Sequence, residues 1–509
     1  MHEGTRRDDA RRRGGAALGI ALALAGLLGA APAAKKPASP PSIVAITDVT
    51  LIDPNTDDPR PHTTVLVRGG TIAQIGPASI VKVPSGARRV DGAGKFLIPG
   101  LWDMHLHLAN RPDSLLAERT LAPLLVAYGV TGVRDMGGDW NRIQAIRRAI
   151  AKGAVIGPRI VACGPFVDGP QDSSPYFRIV ADSAAARRAV RDLKRAGVDF
   201  IKVQSQLSEE CLVAVAEESR RLSIPFVGHV PERVDALTMI ATGPRSIEHV
   251  SPALPGDAGL MRAVTRDPEG LRDSLLALEQ ATAAPDADFD ALRAMQRRIQ
   301  SRHLDWQKQR FDHLAEMLRH NGIDVVPTLI WSQSFRPLDA GDSGVSVPLE
   351  YVPHALADRW RTNRRAYLGR TTRETFTLNQ RMANESIEFV RDLHRKGVRL
   401  MAGTDAFDAF VLPGPALHQE LELLVRAGFT PLDALRAATS EPERFFGGGP
   451  DHCGLKPGCI ADLVVLDADP LADIANTRKI QAVVLRGKLL DRPALDALLQ
   501  RIAQNAAAH

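Results

Sequence analysis

The sequence predicts an α/β protein: a (β/α)8 barrel of the TIM type, a small β-sandwich domain built from both ends of the chain, and a helical insertion. Three observations predict it. Between residues 99 and 450, eight short apolar runs alternate with charged stretches of helical texture, as buried parallel strands alternate with their covering helices. Runs of alternating, half-buried character occur only near the two ends of the chain. The 509 residues exceed one ordinary compact domain and suffice for a large barrel with a companion.

The elements follow in order. Arg11-Arg12-Arg13 precedes the run "GGAALGIALALAGLLG", and Ala31-Pro32-Ala33 supplies small residues at the spacing a signal peptidase prefers. Residues 1–33 are therefore expected to be a secretory signal peptide cleaved near Ala33, giving a periplasmic or secreted protein with no stable membrane span; a retained N-terminal anchor is the alternative. Thr5-Arg6-Arg7 suggests twin-arginine export, but Asp8 and Asp9 interrupt that pattern. Without this segment the net charge falls from +5 to about +3, and no basic patch is interleaved with aromatics, so no nucleic-acid partner is expected.

A Pro/Ala/Ser linker, about 34–41, leads into "SIVAITDVTLID", "TTVLVRGGTIAQIG" and "RRVDGAGKFLIPG", the N-terminal part of the small β domain at 42–98. Gly69-Gly70 marks a hairpin. The barrel strands are expected in "FLIPGLWDMHLHL", "GVTGVRDMG", "GPRIVACGP", "VDFIKVQ", "IPFVGHV", "RSIEHV", "IDVVPTLIW" and "VRLMAGTDA". The long charged interval at about 251–322 reads as a helical insertion, and 331–385 as a second, irregular one. "IADLVVLDADP" and "IQAVVLRGKLL" complete the small domain at 451–491, and 492–509 form a helical tail.

The segment "GLWDMHLHL" spends two histidines on alternate positions of an apolar strand, so His105 and His107 share one face. Other residues with metal-ligand chemistry close other strands: Lys202 after "VDFI", His229 in "IPFVGHV", His249 in "RSIEHV" and Asp405 in "VRLMAGTDA". The C-terminal ends of barrel strands converge on one face, so six residues spread over three hundred positions would meet in one cavity. Each alone has an ordinary explanation: a histidine after a strand is more often a bonded loop residue, a lysine pairs with a carboxylate, and "GTD" suits a helix N-cap. Six at the same point of their own strands are hard to explain that way.

The order His-x-His, Lys, His, His, Asp resembles the metal-dependent amidohydrolase superfamily. "GVTGVRDMGG", "GPRIVACG", "VGHVP", "SIEHV", "LMAGTDA", "LHQELELLVRAGFTPLDALRAAT" and "LKPGCIADLVVLDADPL" resemble its imidazolonepropionase-like and prolidase-like branch, from Ser42 to about Leu490 without the insertion. The resemblance implies two divalent metal ions, zinc first, with manganese and iron also fitting. His105, His107 and Asp405 would hold one and His229 and His249 the other, bridged by Lys202 as an N6-carboxylated lysine. It implies an exported amidohydrolase whose metal-bridging hydroxide hydrolyses a C–N bond (amide, cyclic amide or peptide-like) of a small or dipeptide-like substrate, with Asp405 carrying the proton. A deaminase or lactonase on the same scaffold and a non-catalytic binding protein are the alternatives. Dipeptidase members of this branch carry a tyrosine shortly after the strand-5 histidine; here Val230 and Pro231 follow His229, which argues against a dipeptidase.

Further residues are read more plainly. Arg134 and Asp135 are expected to be a buried structural pair, His418 and Glu420 to reach the rim or cap their helix, and His303, His313 and His320 to be solvated. Tyr351 and Arg359 are weaker candidates for a substrate carboxylate. Cys453 and Cys459 flank "GLKPG" and could form a local disulfide, whereas no cysteine spacing suits structural zinc. A homo-oligomer is compatible with the sequence, which does not specify one.

Overall fold

A computed structural model of the protein describes residues 43–110, 116–170, 176–251, 258–282, 288–303, 306–334, 347–449 and 453–508. The expected signal peptide and linker, and parts of both expected insertions, lie outside these residues. The strands are β1 (Ile43–Leu51), β2 (Arg60–Arg68), β3 (Thr71–Pro77), β4 (Arg88–Asp91), β5 (Phe96–Pro99), β6 (Leu101–Leu106), β7 (Val130–Asp135), β8 (Arg159–Ala162) and β9 (Phe166–Asp168). They continue as β10 (Phe177–Ile179), β11 (Ile201–Val203), β12 (Phe226–Gly228), β13 (Ser246–Glu248), β14 (Asp324–Val326), β15 (Leu463–Leu466), β16 (Ile480–Leu485) and β17 (Lys488–Asp491).

The two ends of the chain build one mixed sheet in the order β17-β16-β15-β5-β1-β2-β3, with β4 also paired to β1. They join where Leu97 faces Val465 and Pro99 faces Leu463. These strands form one connected hydrogen-bonded sheet. Gly69 and Gly70 make the two-residue turn of the β2–β3 hairpin at φ of 59° and 96°, a conformation that glycine enters without a Cβ clash. Val44, Ile46, Val65, Leu463, Val465 and Val484 fill this sheet's core.

All other strand pairings are parallel. β6-β7-β8 form one group and β10-β9-β11-β12-β13-β14 another. Every residue of β6 and β7 is buried, as their near-continuous apolar character requires. The amide of Asp199 bonds the carbonyl of Ala162 (2.9 Å), linking the end of β8 to the approach to β11. On the other side, Leu400 bridges to Val325 and Ala406 to Leu106, both in parallel.

Two strand expectations change. "FLIPGLWDMHLHL" is not one strand: Gly100 donates to Asp462, so β5 stays with the small sheet and β6 crosses into the parallel layer. "VRLMAGTDA" is not a regular strand, because its amides go elsewhere: Ala402 to Ala437, and Thr404 to Asp103 Oδ1 and the His105 carbonyl.

The helices between strands obey simple rules. Helix Ser183–Ala196 is capped by Asp182, buries Ala186, Ala189, Val190 and Leu193 on one stripe, and stops at Gly197 in the left-handed region. Among the described residues, four helices lie between β13 and β14. Pro268–Thr282 and Phe289–His303 share a separate small core of Leu271, Leu275, Leu278 and Ile299. Lys308–His320 instead buries Phe311, Leu314, Ala315 and Leu318 in the main core, so it is the crossover helix of its strand rather than inserted chain. Cys453 and Cys459 are disulfide-bonded, and helix Arg492–Ala507 closes the described chain. Among the described residues no helix is long and apolar enough to cross a membrane.

Candidate metal centre

Five of the six singled-out residues sit in or just beyond the C-terminal ends of the parallel strands. His105 is the penultimate residue of β6 and His107 follows its end; Lys202 is the middle residue of β11; His229 follows β12 and His249 follows β13. Their imidazoles form a chain of contacts: ring centroids lie 5.6 Å apart for His105 and His107, 4.6 Å for His105 and His249, and 4.7 Å for His229 and His249. Asp405 reaches them from the segment after Leu400, its Oδ1 3.1 Å from His107 Nε2 and 3.5 Å from His105 Nε2. The segment comes this close because Gly403 has no side chain: a Cβ there would lie 2.8 Å from that of His105.

Each ring is fixed through Nδ1. His105 Nδ1 lies 2.9 Å from Glu248 Oε2, His107 Nδ1 2.9 Å from the Gly137 carbonyl, His229 Nδ1 2.9 Å from Ser205 Oγ, and His249 Nδ1 2.8 Å from Thr328 Oγ1. Four separate partners, from four different loops or strands, thus engage the same nitrogen of every ring. A bond at the far nitrogen is how proteins fix the tautomer and orientation of a metal-binding histidine.

The electrostatics suit neutral ligands. Burial and the Lys202 charge lower His105 to about 4, and burial pushes His229 and His249 well below the ordinary imidazole value. For His107, burial is outweighed by the bond to Asp405, and its value rises. Burial would also raise Asp405, but the imidazoles of His105, His107 and His249 hold it below the usual carboxylate range. Lys202 Nζ is buried with no hydrogen-bond partner, and burial lowers its pKa. An unpartnered ammonium at such depth is expensive. Neutral imidazoles, an ionised carboxylate and a lysine ready to lose its proton are a donor set that fits divalent metal. Among the described residues, His105, His249 and Asp405 form a trio whose ligand atoms all lie within 4.8 Å of one another.

His249, Thr328 and Asp405 have φ of 71°, 49° and 57°, a region non-glycine residues enter at a cost of about 1–3 kcal/mol each. Short backbone bonds hold two of them there: Asp405 N to His105 O (2.7 Å) and His249 N to Val326 O (2.8 Å).

Other expectations are corrected. Arg134 and Asp135 are both buried but not paired, since neighbours on a strand face opposite sides. Arg134 bonds Glu248 (2.8 Å to each oxygen), Ser246 Oγ (2.8 Å) and the Met104 carbonyl (2.6 Å); Asp135 accepts from the amides of Leu108 (2.7 Å) and Gly137 (3.2 Å), bracing the loop that carries His107. His418 neither reaches the rim nor caps its helix: it is buried between Thr477 and the Tyr128 carbonyl. Glu420 accepts from the amides of Leu329 (3.0 Å) and Ile330 (2.7 Å) and so caps a neighbouring helix. Tyr351 packs with Tyr128 and Arg359 is exposed, so neither stands with the histidines. His313 and His320 are exposed as expected, and the side chain of His303 lies outside the described residues.

The residues missed from sequence are the supports. Glu248 is fully buried between Arg134 and His105; burial would raise it, but the Arg134 charge and the His105 bond hold it below the carboxylate range. Its signal was visible: a carboxylate inside the apolar run "SIEHV". Asp103, raised to about 7 by burial, accepts from Thr404 Oγ1 (2.7 Å) and the amides of Thr404 (3.1 Å) and His105 (3.2 Å), joining the two segments that carry His105 and Asp405.

The amidohydrolase family pattern matches residues 96–265 and 289–490, most of the chain. The chain belongs to the amidohydrolase family. By that membership it is a metal-dependent hydrolase acting on carbon–nitrogen bonds. The amidohydrolase is 22% identical to the ochratoxinase of Aspergillus niger, over 89% of this chain and 90% of that protein. Its fold matches the solved structure of a bottromycin amidohydrolase with a TM-score of 0.67 and 24% identity, covering 91% of this chain and 90% of that one. It also matches a Xaa-Pro dipeptidase with bound methionine in the active site, with a TM-score of 0.62 and 18% identity over 88% and 100% of the two chains.

Proposed function

We propose that this amidohydrolase is an exported, dinuclear metal enzyme that hydrolyses an amide, cyclic amide or peptide-like bond of a small substrate at the C-terminal ends of a closed eight-stranded barrel. The observation that carries the reading is the set of four imidazoles, each tethered by Nδ1, around a buried lysine amine with no partner. His105, His107 and Asp405 would hold one ion, His229 and His249 the other, and Lys202 would bridge them. When bound, such ions lower the pKa of a water and polarise a carbonyl oxygen.

The chain's own residues do the rest. Burial favours the neutral amine of Lys202, whose lone pair attacks carbon dioxide; an N–C bond forms, one proton leaves, and the product is an anionic carbamate. Asp405 is ionised and lies beside His107, placed to accept the proton of the attacking water and return it to the departing nitrogen. Glu248 fixes the His105 tautomer and is itself fixed by Arg134.

The likenesses to ochratoxinase and to a bottromycin amidohydrolase support amide chemistry. The Cys453–Cys459 bond supports export, since disulfides persist in oxidising compartments. The full chain, loaded with metal in the presence of bicarbonate, is to be screened on N-acyl amino acids, dipeptides, hydantoin-like rings, lactones and aminopurines. Turnover of N-acyl amino acids or hydantoin-like rings is expected; turnover confined to lactones or aminopurines would overturn the substrate class, and no turnover of any class would overturn the enzyme.

A further inference from the structure

At the opposite ends of the same strands the amidohydrolase has a second cavity, of about 660 Å³. Its walls come from the residues that enter the parallel strands: Arg245 immediately before β13, Asp324 at the start of β14, and Arg399 immediately before Leu400. Arg220, from helix Glu209–Arg221, and Arg444, from helix Ser440–Phe445, complete the charged lining, with Phe445 beneath them.

Four guanidinium groups thus face this cavity, and only two carboxylates answer them. Asp324 takes Arg399 Nε at 2.6 Å and Arg444 at 3.7 Å, and Glu441 pairs with Arg444. Arg220 and Arg245 donate to carbonyls, Arg220 to Thr242 (3.3 Å) and Arg245 to Phe445, and Arg245 also lies within the field of the shared Asp324. A carbonyl fixes a guanidinium in place without neutralising it. Four guanidiniums against two carboxylates leave an excess of two positive charges at the mouth of a concave site, where the field is concentrated. The volume lies within the range of small-molecule pockets and far exceeds a single ion. Arg220 and Arg245 are exposed and so within reach of a ligand from solvent.

We propose that this cavity is a binding site for a small molecule bearing a phosphate or diphosphate group, separate from the metal centre. A guanidinium presents parallel N–H donors that match two oxygens of a phosphate, and two such forks suit a dianion better than a monocarboxylate. Phe445, with the Arg245 guanidinium 4.9 Å over its ring, offers an apolar floor for the rest of the molecule.

Titration calorimetry of the full chain at constant ionic strength tests this, with pyrophosphate, inorganic phosphate and citrate as probes. Pyrophosphate is expected to bind saturably at one site per chain, more tightly than citrate, and Arg220→Gln and Arg245→Gln are each expected to weaken it about tenfold, the loss of a charge-assisted hydrogen bond. Both arginines are exposed, and circular dichroism checks that both variants fold. Absence of saturable binding overturns the site. Affinity unchanged in both variants places the anion elsewhere, the histidines included, and overturns it equally. Citrate binding as tight as pyrophosphate, lost in the same variants, overturns the assignment to phosphate.

Discussion

At one end of β11 to β14 stand Lys202, His229 and His249; at the other stand Arg245, Asp324 and Arg399. The strands are the same and the electrostatic solutions are opposite. At the first end the groups are buried, so desolvation favours neutral bases, and each imidazole keeps its geometry through one bond at Nδ1. At the second end the guanidiniums are less buried and tie together loop carbonyls and one buried carboxylate. Depth of burial decides whether a basic side chain becomes a ligand for cations or a partner for anions.

The comparison can be broken most sharply at Asp405. Asp405→Asn keeps an oxygen near His107 but removes the proton acceptor; kcat/KM is expected to fall about 10³-fold while most bound metal stays, measured by turnover and metal content together. Near-full activity would remove the role given to it.

Glu248→Gln tests the support beneath the histidines. It leaves the Arg134 charge buried without a carboxylate, for an expected loss of about 3 kcal/mol in denaturant unfolding, and it weakens metal binding about 10–100-fold. An unchanged unfolding midpoint would contradict the pairing.

Glu420 gives a pH test. Burial raises it from 4.5 to about 8, so between these values the native chain keeps a proton that the unfolded chain has lost. Stability tied to this group is full below about pH 4.5 and falls as pH rises through 8. Relative to Glu420→Gln, the wild type is expected to lose about 4 kcal/mol between pH 5 and pH 9; a gain over that range would reverse the sign.

The smallest effect belongs to the other end. Arg399→Gln leaves Asp324 with the more distant Arg444 and the field of Arg245 and should cost about 1 kcal/mol, with metal content and kcat/KM unchanged. A loss of activity there would mean that the two ends are coupled.

The metal-type residues were legible because a histidine, lysine or aspartate interrupts an apolar strand, and the parallel architecture followed from the repetition of such strands. Their supports were less so. Ser205 and Thr328 are hydroxyls of a kind found in every loop, and only the fold brings them to His229 and His249. The arginine cavity was hidden for the same reason: Arg220, Arg245, Arg399 and Arg444 stand in four separate connections, where each reads as a solvated charge. The irregular segment at 400–406 was missed because its amides bond a carboxylate and a distant carbonyl, partners no period-two pattern reveals.

Metal analysis of the purified full chain, reconstituted with zinc and bicarbonate and compared with Lys202→Ala, addresses the centre itself. About two ions per wild-type chain, with a clear loss in the variant, is the outcome required by a carbamate caged between histidines. A wild-type chain that retains no ion after reconstitution would contradict it, however well the imidazoles converge.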